Sequence, residues 1–363
     1  MKKLGIITIS YGNNYGNKLQ NYAMQEVYKK YDYKVETIKF IPQLDRKKEL
    51  FRKIKRVKIK NIIFKLYKIF MKKELQSIAN NRISNFNKFD KKIKFTMKKY
   101  NDNNYQEIGS KYDILSVGSD QVWNPNFSDY SKFYLLDSVQ NCKKIAYAPS
   151  FGINKLPDMY KQEFKENLVN FSSLTCREES GTKIIKDLLN IDVPVVLDPT
   201  MLLTKEEWDK VKIIPKEQKN KKYILLYFLG GISKNNKKQI LRFSKENKCA
   251  LIDLSDVTSK NYSYGPSEFI GLISNAYAVL TYSFNASVFS SIYHKPFYVF
   301  DRNGQTEGKM NSRIENLLSI FKLENRKFNN SFDNLLNVNY SNFEKILKQN
   351  QKENYKKIET MLK

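Results

Sequence analysis

The segment 281–297, TYSFNASVFSSIYHKPF, collects small hydroxyl and amide side chains where a strand gives way to a helix. The apolar run 276–281 predicts a buried strand, and 289–293 continues as an apolar helix. Ser283, Asn285, Ala286 and Ser287 form the turn between them. Its free backbone N–H groups and helix dipole can receive an anion or a sugar hydroxyl, while Ser283 or Asn285 can equally serve as an ordinary helix cap. Four further segments share this strand-to-helix character. In GSDQVWNP, 118–125, Asp120 and Gln121 emerge at a strand's carboxyl end. Asp120 there could orient or deprotonate a sugar hydroxyl or cap a helix, and Trp123 could form a stacking wall or join the core. In REESG, 177–181, two glutamates suit a helix N-terminus but Arg177 does not, which points to a phosphate or carboxylate held by its planar fork. Arg313, at the head of the helix in MNSRIENLLSIF, poses the same question. In YGNNYGNKLQNYAMQ the glycines lead into a helix without matching a known phosphate loop, and Asn17, Gln20 and Asn21 either donate to a sugar or cap that helix. Gly230 and Gly231 form a similar loop later in the chain, and the single histidine, His294, reads as a helix cap or surface residue.

These segments must be positioned by strands and helices that alternate throughout, which predicts an α/β protein with parallel sheets. Strands are expected at 4–9, 35–38, 113–117, 144–148 and 173–176, with helices at 18–31, 159–171 and 178–189. The pattern restarts with strands at 223–229, 250–254, 277–281 and 297–300, and helices near 234–247, 267–275 and 311–321. Two Rossmann-like domains are therefore expected to face each other across a cleft: 1–194, with a basic helical insertion at about 45–100, and 195–340, the boundary falling near 194–215. A last helix, 341–363, is long enough to cross back onto the first domain.

The 363 residues suffice for two cores, and 41% apolar with 13% aromatic content is that of a folded protein. No apolar run is long enough to span a bilayer, and MKKLGIITIS enters a strand directly, so a cytoplasmic location is expected. The three cysteines show no metal-ligand spacing and read as reduced core residues. A net charge of +27 suits an anionic partner, although lysine in place of arginine also reflects a composition rich in Asn, Ile and Tyr. The excess is strongest over 46–73, where cations interleave with apolar residues at helical spacing. Such a helix could lie on an anionic membrane surface or pack its apolar stripe on the domain. Nothing resembles a nucleic-acid-binding motif, so no specific nucleic acid is expected.

Taken in order, GNNYGNKLQNYAMQ, VGSDQVWNP, YAPSFG, REESG, VLDPTMLL, SFNASVFSSIYHKPF and MNSRIENLL resemble the polysaccharide pyruvyl transferase family of bacteria. The resemblance spans residues 1 to about 325. It implies a fold similar to GT-B glycosyltransferases and transfer of a pyruvyl group from phosphoenolpyruvate to hydroxyls of a capsular or exopolysaccharide precursor. The acceptor would be a lipid-linked or nucleotide-linked sugar, and no metal or redox cofactor would be needed. By the same resemblance, Arg177, Arg313 and Ser283 would hold the donor. Asp120 and Asn285 would occupy the catalytic positions, and Asn17, Gln20 and Gln121 would face the acceptor. Where the family reads Asp-Ser-Phe-His-Gly, this chain has Tyr282, Ser283, Phe284, Asn285 and Ala286, so an amide replaces a group able to exchange protons near neutral pH. A glycosyltransferase using a nucleotide sugar at Gly230 and Gly231 is the alternative enzyme reading. A catalytically lapsed protein bound at a membrane surface is the other.

Overall fold

The structure, a computed structural model, describes residues 1–42, 63–127, 130–301 and 311–363. The amino-terminal sheet is built from β1 (Lys3–Ile7), β2 (Lys34–Phe40), β3 (Phe95–Tyr100), β4 (Ile114–Val117), β5 (Lys143–Ala146) and β6 (Ser173–Leu174). All of its pairings are parallel and the strand order is β3-β2-β1-β4-β5-β6, the order of a dinucleotide-type Rossmann sheet. Helices α1 (Tyr15–Lys29), α2 (Ile63–Asp90), α3 (Asp158–Leu168) and α4 (Glu179–Leu189) accompany it. The carboxy-terminal sheet comprises β7 (Tyr223–Tyr227), β8 (Ala250–Asp253), β9 (Ala278–Thr281) and β10 (Phe297–Val299), again all parallel, in the order β10-β9-β7-β8. Its helices are α6 (Lys234–Glu246), α7 (Pro266–Asn275), α8 (Phe284–Ile292) and α9 (Asn311–Ile320), with a short α5 (Lys205–Asp209) ahead of it. The chain is thus an α/β protein of two Rossmann-like units facing across a cleft.

Each sheet reverses its direction of growth once, between β1 and β4 in the first and between β7 and β9 in the second. A crevice opens at such a reversal because the flanking loops leave in opposite directions. Strands β4 and β9 are buried along their whole length, as their apolar runs require, with Ile114, Leu115, Ala278, Val279 and Leu280 at 3% exposure or less.

The insertion predicted as helical also contains β3, an edge strand. Its outward Met97, Lys98 and Lys99 break the apolar alternation by which a strand is recognised, while charged residues suit an exposed edge. Of the basic stretch 46–73, only helical backbone from Ile63 onward falls among the described residues, and the rest lies outside them. No helix among the described residues is long and apolar enough to cross a membrane. The last helix, α10 (Ser341–Leu362), lies on the amino-terminal unit. The Asn354 side-chain oxygen accepts from the Tyr147 hydroxyl at 2.9 Å and from Leu197 N at 3.0 Å, and Tyr31 donates to the Tyr355 carbonyl at 2.9 Å.

Candidate functional site

A cavity of about 470 Å³ lies where the two reversals face each other. The loop after β1 supplies Ile9, Tyr11 and Gly12, and the first turn of α1 supplies Asn14 to Asn17; Asp120 and Gln121 follow β4. From the other unit come Tyr227 and Leu229 at the end of β7, Tyr282 to Asn285 after β9, and Arg313 with Ile314 from α9. Three helix N-termini therefore border one space. None of α1, α8 or α9 has a carboxylate in its first turn, a feature shared with α2 and α6 away from the cavity, whereas α3, α4, α5, α7 and α10 all begin with one. Where the side chains leave the dipole uncompensated, an anionic ligand can fill that role.

Arg313 is half-buried on the wall and makes no hydrogen bond or ion pair with a described residue, and its Nε is fully buried without an acceptor. Burial, with the nearby Arg177, pushes its pKa down to about 10, so it remains a cation at neutral pH. A guanidinium placed this way has open donors facing a cavity that can hold a carboxylate or phosphate. Asp120 is the one carboxylate lining the space among the described residues. Its Oδ1 accepts from Gln121 N at 2.7 Å, and the residue sits in the left-handed region with φ of 72°, in a turn that no helix follows. The side-chain amides of Asn17, Gln121 and Asn285 also line the cavity with no hydrogen bond to a described residue. Ser283 caps α8 by accepting from Ala286 N at 3.4 Å, so the capping role is occupied and its hydroxyl proton remains to be donated.

One layer behind the lining, four sequence segments interlock. Arg177 Nη1 donates to Asp198 Oδ2 at 2.6 Å, and Nη2 lies 3.9 Å from Asp120 Oδ1. The guanidinium stands 5.3 Å from the centre of the Phe284 ring, and its Nε and Nη2 have no hydrogen-bond partner. Arg177 thus does not line the cavity and is not the free cation its helix-head position suggested: a buried aspartate holds it. Asp198 is itself fixed by Thr200, whose backbone N–H and hydroxyl both donate to Oδ1. Glu178 Oε1 accepts from the Ser150 hydroxyl at 2.8 Å and Phe151 N at 3.0 Å, which shapes the turn against which Gln121 rests: a Cβ on Gly152 would meet Gln121 Nε2 at 2.2 Å. The Glu178 Oε2 atom is buried and unpartnered.

The remaining expectations divide. Gln20 does not face the cavity; its amide donates to Thr8 and to the Asn17 carbonyl, and its oxygen accepts from Ser119 N, so it braces the loops after β1 and β4. Trp123 is fully buried and donates to the Tyr134 carbonyl, a core residue and not a stacking wall. His294 is exposed at the end of α8, stacked on Tyr340 and 3.2 Å from Glu344. Gly230 and Gly231 adopt φ of 101° and 93°, and no atom lies within 4 Å of a Cβ built on either. The cysteines are free thiols, and no group of residues suited to a metal ion occurs among the described residues. Asp198 went unassigned in the sequence, although Asp-Pro-Thr is a capping signature that leaves one carboxylate oxygen for a second partner. Nothing in the sequence singled out the cavity-facing Tyr11 and Tyr227.

Among solved structures, a functionally uncharacterised protein of Klebsiella pneumoniae is similar at 11% identity and a TM-score of 0.48, over 90% of this chain and 92% of that one. The UDP-GlcNAc 2-epimerase of Neisseria meningitidis aligns over 97% of this chain and 100% of its own at 13% identity and a TM-score of 0.44. The ADP-heptose LPS heptosyltransferase II of E. coli does so over 97% and 99% at 8% identity and 0.39. All three likenesses are distant. No curated protein matches. The family model for polysaccharide pyruvyl transferase matches residues 14–304, a span that holds every cavity-lining residue except Ile9, Tyr11, Gly12, Arg313 and Ile314, and the chain belongs to the polysaccharide pyruvyl transferase family.

Proposed function

We propose that the chain transfers the pyruvyl group of phosphoenolpyruvate to two hydroxyls of one sugar in a surface-polysaccharide precursor, forming a ketal. Arg313, a cation without a partner among the described residues on a cavity wall bordered by three helix N-termini, is the observation that carries this reading. The donor is a small molecule with two anionic groups. Such a ligand needs more than one anion receptor within a few ångströms, and the first turns of α1, α8 and α9 with Arg313 supply them.

In the reaction the donor's methylene gains a proton, and the adjacent carbon becomes an oxocarbenium-like centre that one sugar hydroxyl attacks. Loss of phosphate and attack by the second hydroxyl close the ketal. Two hydroxyl protons leave the sugar; one ends on the new methyl group and the other departs with phosphate. Asp120, the lining carboxylate, takes the proton of an attacking hydroxyl, and the acid so formed protonates the methylene of the next donor. Asn285 cannot exchange protons near neutral pH, so its part is to donate a hydrogen bond to the donor alongside Ser283. Asn17 and Gln121 orient the acceptor hydroxyls through their open amides. A lipid-linked or nucleotide-linked sugar fits as acceptor. No step requires a metal or redox cofactor.

Thermal-shift titration of the wild type with phosphoenolpyruvate against UDP, GDP and CMP tests the donor. Stabilisation by phosphoenolpyruvate, lost in Arg313→Ala, is expected. A shift with a nucleotide and none with phosphoenolpyruvate would overturn the reading in favour of glycosyl transfer. Asp120→Asn, retaining donor binding but losing phosphate release in the presence of acceptor, would place the carboxylate in the chemistry.

A further inference from the structure

Helix α2 contributes no residue to the cavity, yet its Arg82 is 6% exposed and has no ion pair with a described residue. A buried cation without a carboxylate is costly unless every donor is engaged. Arg82 engages three of its five N–H donors, and it does so in three places at once. Its Nη1 donates to the Tyr15 hydroxyl at 2.9 Å and to the Tyr262 carbonyl at 2.6 Å, and its Nη2 donates to the Asn13 carbonyl at 3.1 Å. The guanidinium carbon also lies 4.8, 4.7 and 4.2 Å from the ring centres of Tyr15, Phe86 and Tyr262.

These partners belong to different units. Asn13 and Tyr15 are in the loop and first turn of α1 that form the amino-terminal wall of the cavity. Tyr262 is in the turn of the carboxy-terminal unit that leads into α7. Tyr15 extends the link: having accepted from Arg82, its hydroxyl donates to the Tyr264 carbonyl at 2.8 Å, and its ring stacks on Phe269 of α7 at 4.4 Å. One turn further along α2, Asn85 donates to the Ser263 carbonyl at 2.9 Å, and a Cβ on Gly265 would meet the Asn85 carbonyl oxygen at 2.8 Å. Immediately after Tyr15 in the chain, the N-termini of α1 and α8 touch, for a Cβ on Gly16 would lie 2.1 Å from Asn285 Nδ2.

We infer that Arg82 is a positioning residue for pyruvyl transfer: it clamps the α1 wall to the carboxy-terminal unit and so fixes the spacing of the helix N-termini that receive the donor. The inference rests on reading the cavity as the donor site. It does not require Arg82 to touch substrate. A lysine would keep the charge but replace a planar fork that spans three acceptors with a compact ammonium, so Arg82→Lys should not rescue the function.

The test compares wild type, Arg82→Lys and Arg82→Met by hydrogen exchange without ligand and by calorimetric titration with phosphoenolpyruvate. In both variants amide exchange should rise together in 13–17 and 262–265 while β1, β4, β7 and β9 stay protected. The phosphoenolpyruvate dissociation constant should increase about tenfold, the scale of one lost charge-assisted hydrogen bond. Turnover at saturating donor should fall further, towards about a hundredfold, because misplaced walls also spoil alignment. Unchanged protection of both segments, or a rise in only one, would overturn the clamp. Raised exchange with unaltered donor affinity and turnover would overturn the positioning role. If the wild type itself takes no phosphoenolpyruvate, the donor assignment and the positioning role fall together, while the exchange comparison still decides whether the clamp exists. Should Arg82→Met not fold, Arg82→Lys and Asn85→Ala carry the same comparison.

Discussion

Two arginines stand where a helix begins, a position unfavourable to a cation, and the fold treats them in opposite ways. Arg177, behind the cavity floor, is bound to a buried aspartate and lies 3.9 Å from Asp120 Oδ1; Arg313, on the wall, has no partner among the described residues. Burial opposes the charge of both. Asp198, Asp120 and Glu178 outweigh it for Arg177 and raise its pKa, whereas Arg313 is pushed down by burial and by Arg177 itself. The same sequence oddity therefore marks a structural anchor in one place and an open receptor in the other. What separates them is the presence of a carboxylate far away in sequence.

The largest expected effect is on the floor. Arg177→Ala would leave Asp198 charged and buried, a loss of about 3–5 kcal/mol against the roughly 5–15 kcal/mol that holds an ordinary domain folded. Chemical denaturation should show a marked fall in midpoint, and a variant as stable as wild type would break the contrast between the two arginines. Replacing both partners, as Arg177→Met with Asp198→Leu, should recover much of that stability without recovering activity.

On the wall the outcome is reversed. Arg313→Ala should reduce kcat/KM about a hundredfold to a thousandfold, the scale of one preorganised charge contact, while leaving stability intact. The sign of the stability effect follows from its pKa. A cation whose folded value of about 10 lies below its unfolded value opposes folding at neutral pH, and this opposition fades only as pH rises through about 10 towards the unfolded value. Removing it at pH 7 is thus neutral or slightly stabilising. A steep loss of stability would mean that Arg313, too, is an anchor.

This contrast also explains what the sequence could reveal. The alternation of strands and helices, and hence both sheets and the loops at their reversals, follows from local apolar periodicity. Asp120, Gln121, Ser283, Asn285 and Arg313 could be placed at the cavity because each follows a strand or opens a helix. The partners of Arg177 and Gln20 could not be read, since Asp198 and Ser119 meet them only after folding. Trp123 is ambiguous for the same reason, and β3 escapes because an edge strand has little apolar alternation to display. Arg82 carries no local signal at all: it lies within a helix, among ordinary polar residues, and its meaning comes from two loops 69 and 180 positions distant.

A smaller effect, on the contact between the two units, sharpens the comparison. Gly16→Ala places a methyl group 2.1 Å from Asn285 Nδ2 and 3.0 Å from its Cγ, so the flexible amide must turn away. Alanine is acceptable to a helix, and the thermal midpoint should hardly move. Donor-dependent turnover should fall about tenfold, the worth of one hydrogen bond, if the Asn285 amide is held where the donor needs it. Unchanged turnover would remove Asn285 from the receptor and leave the wall to Arg313 and Ser283.

The smallest effect decides between the two roles open to Ser283. As a cap, its hydroxyl accepts from Ala286 N over 3.4 Å, a long bond, so Ser283→Ala should cost about 0.5–1 kcal/mol of stability and no more. As a donor ligand, the same hydroxyl directs its proton into the cavity, and its loss should weaken phosphoenolpyruvate binding several-fold. Ser283→Gly separates the roles, because glycine is a tolerable cap yet cannot donate from a side chain. If the glycine variant regains stability and remains weak for the donor, Ser283 belongs with Arg313 on the receptor wall. If both properties recover, it is a cap alone, and the wall binds its anion through backbone amides and one arginine.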